Sequence, residues 1–336
     1  MENSKQGRST SGSDRPDPTE RSQEERADTA AQPLEPPSAR PVGIFFGPNG
    51  IRAGWRLLLF LLIAFVSGSV LGRLSRLAHF RPGGGVDPVA ILFSDGLSLF
   101  VILFAAAVMG KIEKRSLADY ALPGRGAFGA RFWQGVAWGF VTLTAILLMI
   151  GAGRSFSLGG LALSGRMLVY YAVIWAVSFL GVGFFEEFLM RGYALYTLTT
   201  GMGFWPSAIL LSAIFGAVHL RNPGEEWTGG LSAALIGVFF CFTVRRTGSL
   251  WFAVGFHAMW DYSESFLYSV PDSGIMVPGH LLNSSFHGPR WLTGGTVGPE
   301  GSALVFPIIA ALFVVFHRLH RDVRFPVVPK PPTTGE

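Results

Sequence analysis

An all-α, polytopic membrane helix bundle of about eight transmembrane helices is the fold class this sequence predicts, and three observations predict it. Of 336 residues, 49% are hydrophobic and 15% are charged, where a soluble domain carries about a quarter charged residues. Mean hydropathy is +0.40. Several apolar runs approach the ~20 residues that cross a bilayer, and polar or basic connections separate them.

The chain divides into four parts. Residues 1–45 are rich in Ser, Pro, Glu, Arg and Asp, with almost no large apolar side chain before Ile44. Such a segment cannot bury enough surface to offset its ordering entropy, so it reads as a disordered cytoplasmic tail. It contains no apolar run in its first 30 residues and is not a signal peptide. Residues 51–322 form the bundle, 269–301 within it form a long Gly/Pro-rich loop, and 323–336 are a C-terminal tail.

Eight apolar segments are expected as spans, at 54–72, 88–110, 132–152, 168–198, 204–220, 230–246, 249–268 and 302–318. The first is long enough for an uncleaved anchor. The fourth is long enough to tilt or to extend past the bilayer surface. The fifth and sixth are rich in Gly, Ala and Ser, as close packing inside a bundle requires. In the long loop, Gly294, Gly295, Gly298 and Gly301 read as turn residues or as parts of a functional loop.

The net charge of +5 is no sign of a nucleic-acid partner. The first 43 residues are slightly acidic, and much of the remaining basic excess flanks the apolar segments, as topology signals do. With both termini cytoplasmic, thirteen basic residues lie on the inner side against seven on the outer. The expected location is a bacterial inner or plasma membrane, as an integral multi-pass protein. The single cysteine, Cys241, sits in an apolar segment and reads as a small buried hydrophobe.

Chemistry concentrates in three places. Phe184-Phe185-Glu186-Glu187-Phe188-Leu189-Met190-Arg191 sets two carboxylates and an arginine in a very apolar stretch. Ionisable groups at membrane depth are costly and face the bundle interior, where they pair or act. Residues four apart share a helix face. Glu187 therefore pairs with Arg191, whereas Glu186 points about 100° away and has no cationic partner on its own helix. The fifth segment ends Phe215-Gly216-Ala217-Val218-His219. The seventh carries His257-Ala258-Met259-Trp260-Asp261, with His257 and Asp261 one turn apart.

Glu186, His219, His257 and Asp261 support two schemes. They are ligand types that suit a divalent metal such as Zn²⁺ with an open water position. Alternatively, Glu186 and His219 activate a water while His257 and Asp261 stabilise the developing oxyanion. Both schemes give hydrolysis. The HExxH spacing that marks one large class of zinc sites is absent. Nothing in the chain calls for an organic cofactor.

Glu186-Glu187-x-x-x-Arg191, Phe215-x-x-x-His219 and His257-x-x-x-Asp261, in that order, resemble the signature of the CPBP family. These are intramembrane proteases related to type II CAAX prenyl endopeptidases and bacteriocin-processing Abi proteins. Arg246-Thr247-Gly248-Ser249-Leu250-Trp251, leading to His257, is similar to the family as well. The resemblance covers about 168–268. It implies an eight-helix bundle with an interior site in which Glu186 is the base and His219 its partner. Glu187, Arg191 and Phe215 would support the site, and His257 with Asp261 would complete it. Prenyl-processing members often carry Asn at the last position, where this chain has Asp261.

The expected function is thus an intramembrane endopeptidase acting on a peptide or protein substrate in or beside the lipid bilayer. A non-catalytic scaffold or immunity-type protein, and an ion-coupled transporter, are the rivals. The transporter lacks support from an inverted repeat or paired broken helices. One geometric difficulty stands out. Consecutive spans run in opposite directions, so Glu186 and His219 meet only if the fourth helix is tilted or begins well outside the membrane.

Overall fold

The computed structural model describes residues 43–47, 50–77 and 87–326. The expected tail 1–45, apart from its last three residues, lies outside the described residues, as do 327–336 of the C-terminal tail. The chain comprises two units, Met1–Gly50 and Ile51–Glu336. In the first, the Gly43 amide donates to the Phe46 carbonyl at 3.0 Å and closes a turn.

The second unit is all-α. Its helices are α1 (Ala53–Leu77), α2 (Pro88–Glu113), α3 (Ala130–Ala152), α4 (Gly165–Arg191), α5 (Tyr193–Met202), α6 (Phe204–His219), α7 (Trp227–Thr247), α8 (Trp251–Tyr262) and α9 (Val305–Leu319). Their ends follow local chemistry. Asp87 caps α2 by accepting the Ala90 amide at 3.0 Å, with Pro88 at the first helical position, where a missing amide costs nothing. Gly248 ends α7 at φ +69, a conformation a β-carbon resists.

Among the described residues, five helical segments are long and apolar enough to cross a membrane: α1, α2, α3, the 38-residue run Gly165–Met202, and α7. The side chains of α1 bear this out, for Phe65 is 73% exposed and Leu58, Leu62 and Val66 about half exposed. Such a face is stable against lipid and costly in water. All eight expected segments are helical, but three are shorter than expected. The segments at 204–220, 249–268 and 302–318 hold helices of 16, 12 and 15 residues. Even with the π turn that carries the 12-residue helix on to Leu267, the run of 17 residues is about 25 Å long, less than a ~30 Å hydrocarbon core. Packing against longer neighbours holds it in place.

The fourth expected span, 168–198, is interrupted. Gly192 breaks it into α4 and α5, and a β-carbon there would lie 2.4 Å from the Phe188 carbonyl oxygen. This run removes the geometric difficulty. From Glu186 down to Met202 is 16 residues, and from Phe204 back to His219 is 15, each about 23–24 Å of helix. The return arm brings His219 back to the cavity that Glu186 lines.

Small residues let the site helices approach closely. β-Carbons on Gly135 and Gly139 of α3 would lie 2.1 Å and 2.4 Å from the carbonyl oxygens of Phe252 and Phe256 on α8. Gly255 of α8 is equally tight against Phe132. On the opposite side of α8, a β-carbon on Gly183 of α4 would sit 2.9 Å from the Ala258 amide. Thus α8 is wedged between α3 and α4 with almost no intervening side chain, the packing expected where lipid offers no hydrophobic drive. Away from the site, Glu113 at the end of α2 receives both forks of Arg56 at 2.9 and 2.7 Å and the hydroxyl of Tyr193 at 2.6 Å. This bidentate anchor joins α1, α2 and α5.

The 269–301 loop is built rather than loose. Phe156–Ser157 pairs antiparallel with Ser285–Phe286. Arg290–Thr293 forms one helical turn. Gly294, Gly295 and Gly298 take φ of +82, +63 and +100, which supports the turn reading.

Candidate active site

The charged residues of α4 are placed by its periodicity. Glu187 and Arg191 face inward and are fully buried, with Arg191 Nη1 donating to Glu187 Oε1 at 3.1 Å. The guanidinium lies over the Phe215 ring, 4.4 Å from its centroid, and at 5.8 Å from that of Phe240. Cation–π contact and ion pairing together neutralise a charge that burial would otherwise penalise. Gly237 of α7 makes the room: a β-carbon there would lie 2.6 Å from Arg191 Nη2.

Glu187 has a second task that its sequence position does not disclose. The same Oε1 lies 2.9 Å from Nδ1 of His257, 70 residues away on α8. A carboxylate oxygen accepts, so Nδ1 carries the proton and Nε2 is turned into the cavity. There Nε2 lies 3.7 Å from Glu186 Oε2 and 3.7 Å from Asp261 Oδ2. A ring held at one nitrogen by a buried carboxylate, presenting the other, is the arrangement that fixes tautomer and orientation in working histidines.

His219 is fixed by a different acceptor. Its Nδ1 lies 2.9 Å from the Phe215 carbonyl oxygen, one turn back on α6, and its ring packs on the Phe215 ring at 4.4 Å. A carbonyl oxygen only accepts, so Nδ1 again bears the proton. The Nε2 lone pair is left free to accept from water. Phe215 thus touches Arg191, His219 and His257, the last at 6.2 Å between centroids.

Glu186, His219, His257 and Asp261 line one cavity of ≈ 270 Å³. Phe179, Val182, Ile236 and Phe256 supply apolar walls, and Asp95, Asn222, Asp272 and Glu300 further polar ones. The structure so gathers all four sequence-derived candidates. Glu186 Oε2 and Glu187 Oε2 are buried and receive no hydrogen bond. Glu186 makes its closest described polar contact through His257.

As arranged, the four groups do not fit a compact metal shell. Among the described residues no three of them bring ligand atoms within 4.8 Å of one another. Zinc ligands at 2.0–2.2 Å from the ion lie about 3.3–3.5 Å apart. No step below is therefore routed through a metal.

Several lining residues escaped the sequence reading. Asp95 interrupts the apolar run of α2, and an acidic residue inside a span was signal enough. Asp272 and Glu300 sit in a loop whose glycines drew the attention. Outside the spans, burial and then Glu300 push the Glu225 carboxyl up to about 8. Burial, then Asp261 and Glu300, hold Asp272 well above the usual carboxylate range.

Fold and site together define a multi-pass, all-α membrane protein with a Glu/His/Asp cavity inside its bundle. Residues 168–263 match the sequence profile of the family described as type II CAAX prenyl endopeptidase Rce1-like. The matched segment holds all three motifs, so the match falls on the residues that carry the resemblance. No curated protein matches the chain.

Proposed function

We propose that this protein is an intramembrane endopeptidase that hydrolyses a peptide bond in or beside the bilayer with a water activated by Glu186. The observation that carries the reading is the pair of clamped histidines that line one cavity with a carboxylate that accepts no hydrogen bond. Glu186 Oε2, free of competing donors, is the general base. The free Nε2 of His219 accepts a hydrogen bond from the second O–H of the same water, which keeps that proton, and fixes its direction.

As water attacks the carbonyl carbon, the C–N bond lengthens and negative charge builds on the carbonyl oxygen. His257, clamped by Glu187, donates from Nε2 to that oxygen when Nε2 is protonated, and Asp261 holds the ring from the other side. The proton taken by Glu186 then passes to the departing amine. Glu187, Arg191 and Phe215 touch no substrate in this scheme. They position the two histidines.

The substrate is a membrane-associated peptide or protein, and both termini of the chain face the cytoplasm. Comparison of the membrane proteomes of wild-type and Glu186→Ala cells tests the reading. New chain ends that depend on Glu186 are expected. A verified substrate cleaved at full rate by Glu186→Ala overturns it.

A further inference from the structure

Beyond the Glu/His/Asp centre, the described residues contain one group of carboxylates whose oxygens lie within 4.8 Å of one another: Glu264, Asp272 and Glu300. Glu264 belongs to the π-helical turn Ser263–Leu267 that continues α8, and the other two belong to the long loop. Inserted π turns recur at functional sites because they re-aim side chains. Here the insertion begins two residues after Asp261.

Two of the three carboxylates are braced by donors. Glu300 accepts the Trp260 indole N–H at 3.1 Å, and the Ser273 amide and hydroxyl at 3.0 and 2.7 Å. Asp272 accepts the Ser265 hydroxyl at 3.0 Å. Glu264 is different. It is fully buried and aimed at the other two, and neither of its oxygens meets a donor in hydrogen-bonding geometry; the nearby Trp260 indole N–H, which also acts on it, is spent on Glu300 at 3.1 Å. No lysine or arginine among the described residues pairs with any of them. A buried carboxyl without a donor either keeps its proton or, when ionised, takes a positive counterpart.

We propose that Glu264, Asp272 and Glu300 bind a Ca²⁺ ion that staples the 269–301 loop to the end of α8. An ion equidistant from three oxygens at the 4.8 Å limit lies about 2.8 Å from each, so slight closure reaches the 2.3–2.6 Å of calcium–oxygen bonds. The donor set is all oxygen, with neither imidazole nor thiolate, which selects a hard cation over zinc. Calcium tolerates irregular geometry and six to eight ligands, and the adjoining cavity supplies water for the open positions. Magnesium demands a nearly regular octahedron, which three clustered carboxylates do not offer.

Because Asp272, Ser273 and Glu300 also line the cavity, the ion would set the position of its loop-side wall. Binding rests on the cluster alone. Its effect on cleavage rests on the protease reading.

The test uses the full-length protein purified in detergent and stripped with a chelator. Terbium is the probe, because Trp260 donates directly to Glu300 and can sensitise its emission. Saturable tryptophan-sensitised emission is expected, displaced by Ca²⁺ but not by Zn²⁺, and Ca²⁺ should raise Tm. Glu264→Gln and Asp272→Asn should each weaken binding roughly ten-fold or more, since ligand charge count tunes such sites. Chelated Glu264→Gln should be more stable than the chelated wild type, because it lacks the unpartnered carboxylate.

Wild-type protein with no saturable emission and no calcium-dependent Tm overturns the site. So does Glu264→Gln binding with wild-type affinity, or displacement by Zn²⁺ in preference to Ca²⁺. If calcium binds but cleavage of a verified substrate ignores it, the loop-wall role fails and the site stands. If calcium binds and no condition yields Glu186-dependent cleavage, it is the protease reading that fails.

Discussion

Glu187→Gln is the most informative single change, because one oxygen serves two buried partners. In the wild type, Oε1 accepts from Arg191 at 3.1 Å and from His257 at 2.9 Å, and both Glu187 and Arg191 are fully buried. The substitution keeps the shape and removes the charge. Breaking a buried pair from one side costs about 3–5 kcal/mol, because it strands the other ion. The glutamine carbonyl still accepts one hydrogen bond, so the lower end, about 3 kcal/mol, is expected. The same change leaves His257 Nδ1 beside a neutral amide, whose NH₂ can face the ring and favour the wrong tautomer. A fall in kcat of about 10²-fold or more follows if His257 works as described.

Equilibrium unfolding in mixed micelles, read by circular dichroism, measures the stability part. The double variant Glu187→Gln/Arg191→Met isolates the pair, since removing both charges leaves nothing stranded. It should be less destabilised than the two singles added together, by about 2–3 kcal/mol of coupling. Strict additivity would refute the ion-pair reasoning. A normal kcat in folded Glu187→Gln would refute the clamp on His257.

Three further outcomes are expected. Glu186→Gln should fold at least as stably as the wild type, because that carboxylate accepts no hydrogen bond, yet lose roughly 10²–10⁴-fold in kcat; an active variant is incompatible with its role as base. Gly237→Ala should destabilise the protein by about 1–3 kcal/mol, since the new methyl meets Arg191 Nη2 at 2.6 Å and Ser212 at 3.1 Å; unchanged stability would mean that the guanidinium lies elsewhere. Glu225, raised from 4.5 to about 8, binds its proton more tightly folded than unfolded, so its contribution is full below pH 4.5 and lost as pH rises through about 8. Thermal scans should show that decline flatten in Glu225→Gln, and an identical slope would discard the assignment.

How much of this was legible in the sequence depends on the range of each interaction. The Glu187–Arg191 pair is an i,i+4 relation and could be read directly, as could the shared face of His257 and Asp261. Asp95 was legible too, as an acid inside an apolar run, but carried no motif. The His257–Glu187 contact spans 70 residues and two helices, and no local pattern encodes it. Glu264, Asp272 and Glu300 look like ordinary loop and helix-end acids until the π turn and the loop converge.

Composition and periodicity by themselves determined the membrane class, the helical segments, the three polar motifs and the separation of Glu186 from Glu187. These are properties of one helix at a time, governed by transfer free energy and the 3.6-residue turn. Tertiary structure alone decided what those motifs face. The α5–α6 turn returns His219 to the cavity that Glu186 lines, and the glycines of α3, α4 and α8 let the backbones close until His257 reaches Glu187. That meeting depends on helix lengths and close approach summed over the bundle, because an active site is a distance between elements and the amino-acid order encodes directly only the elements.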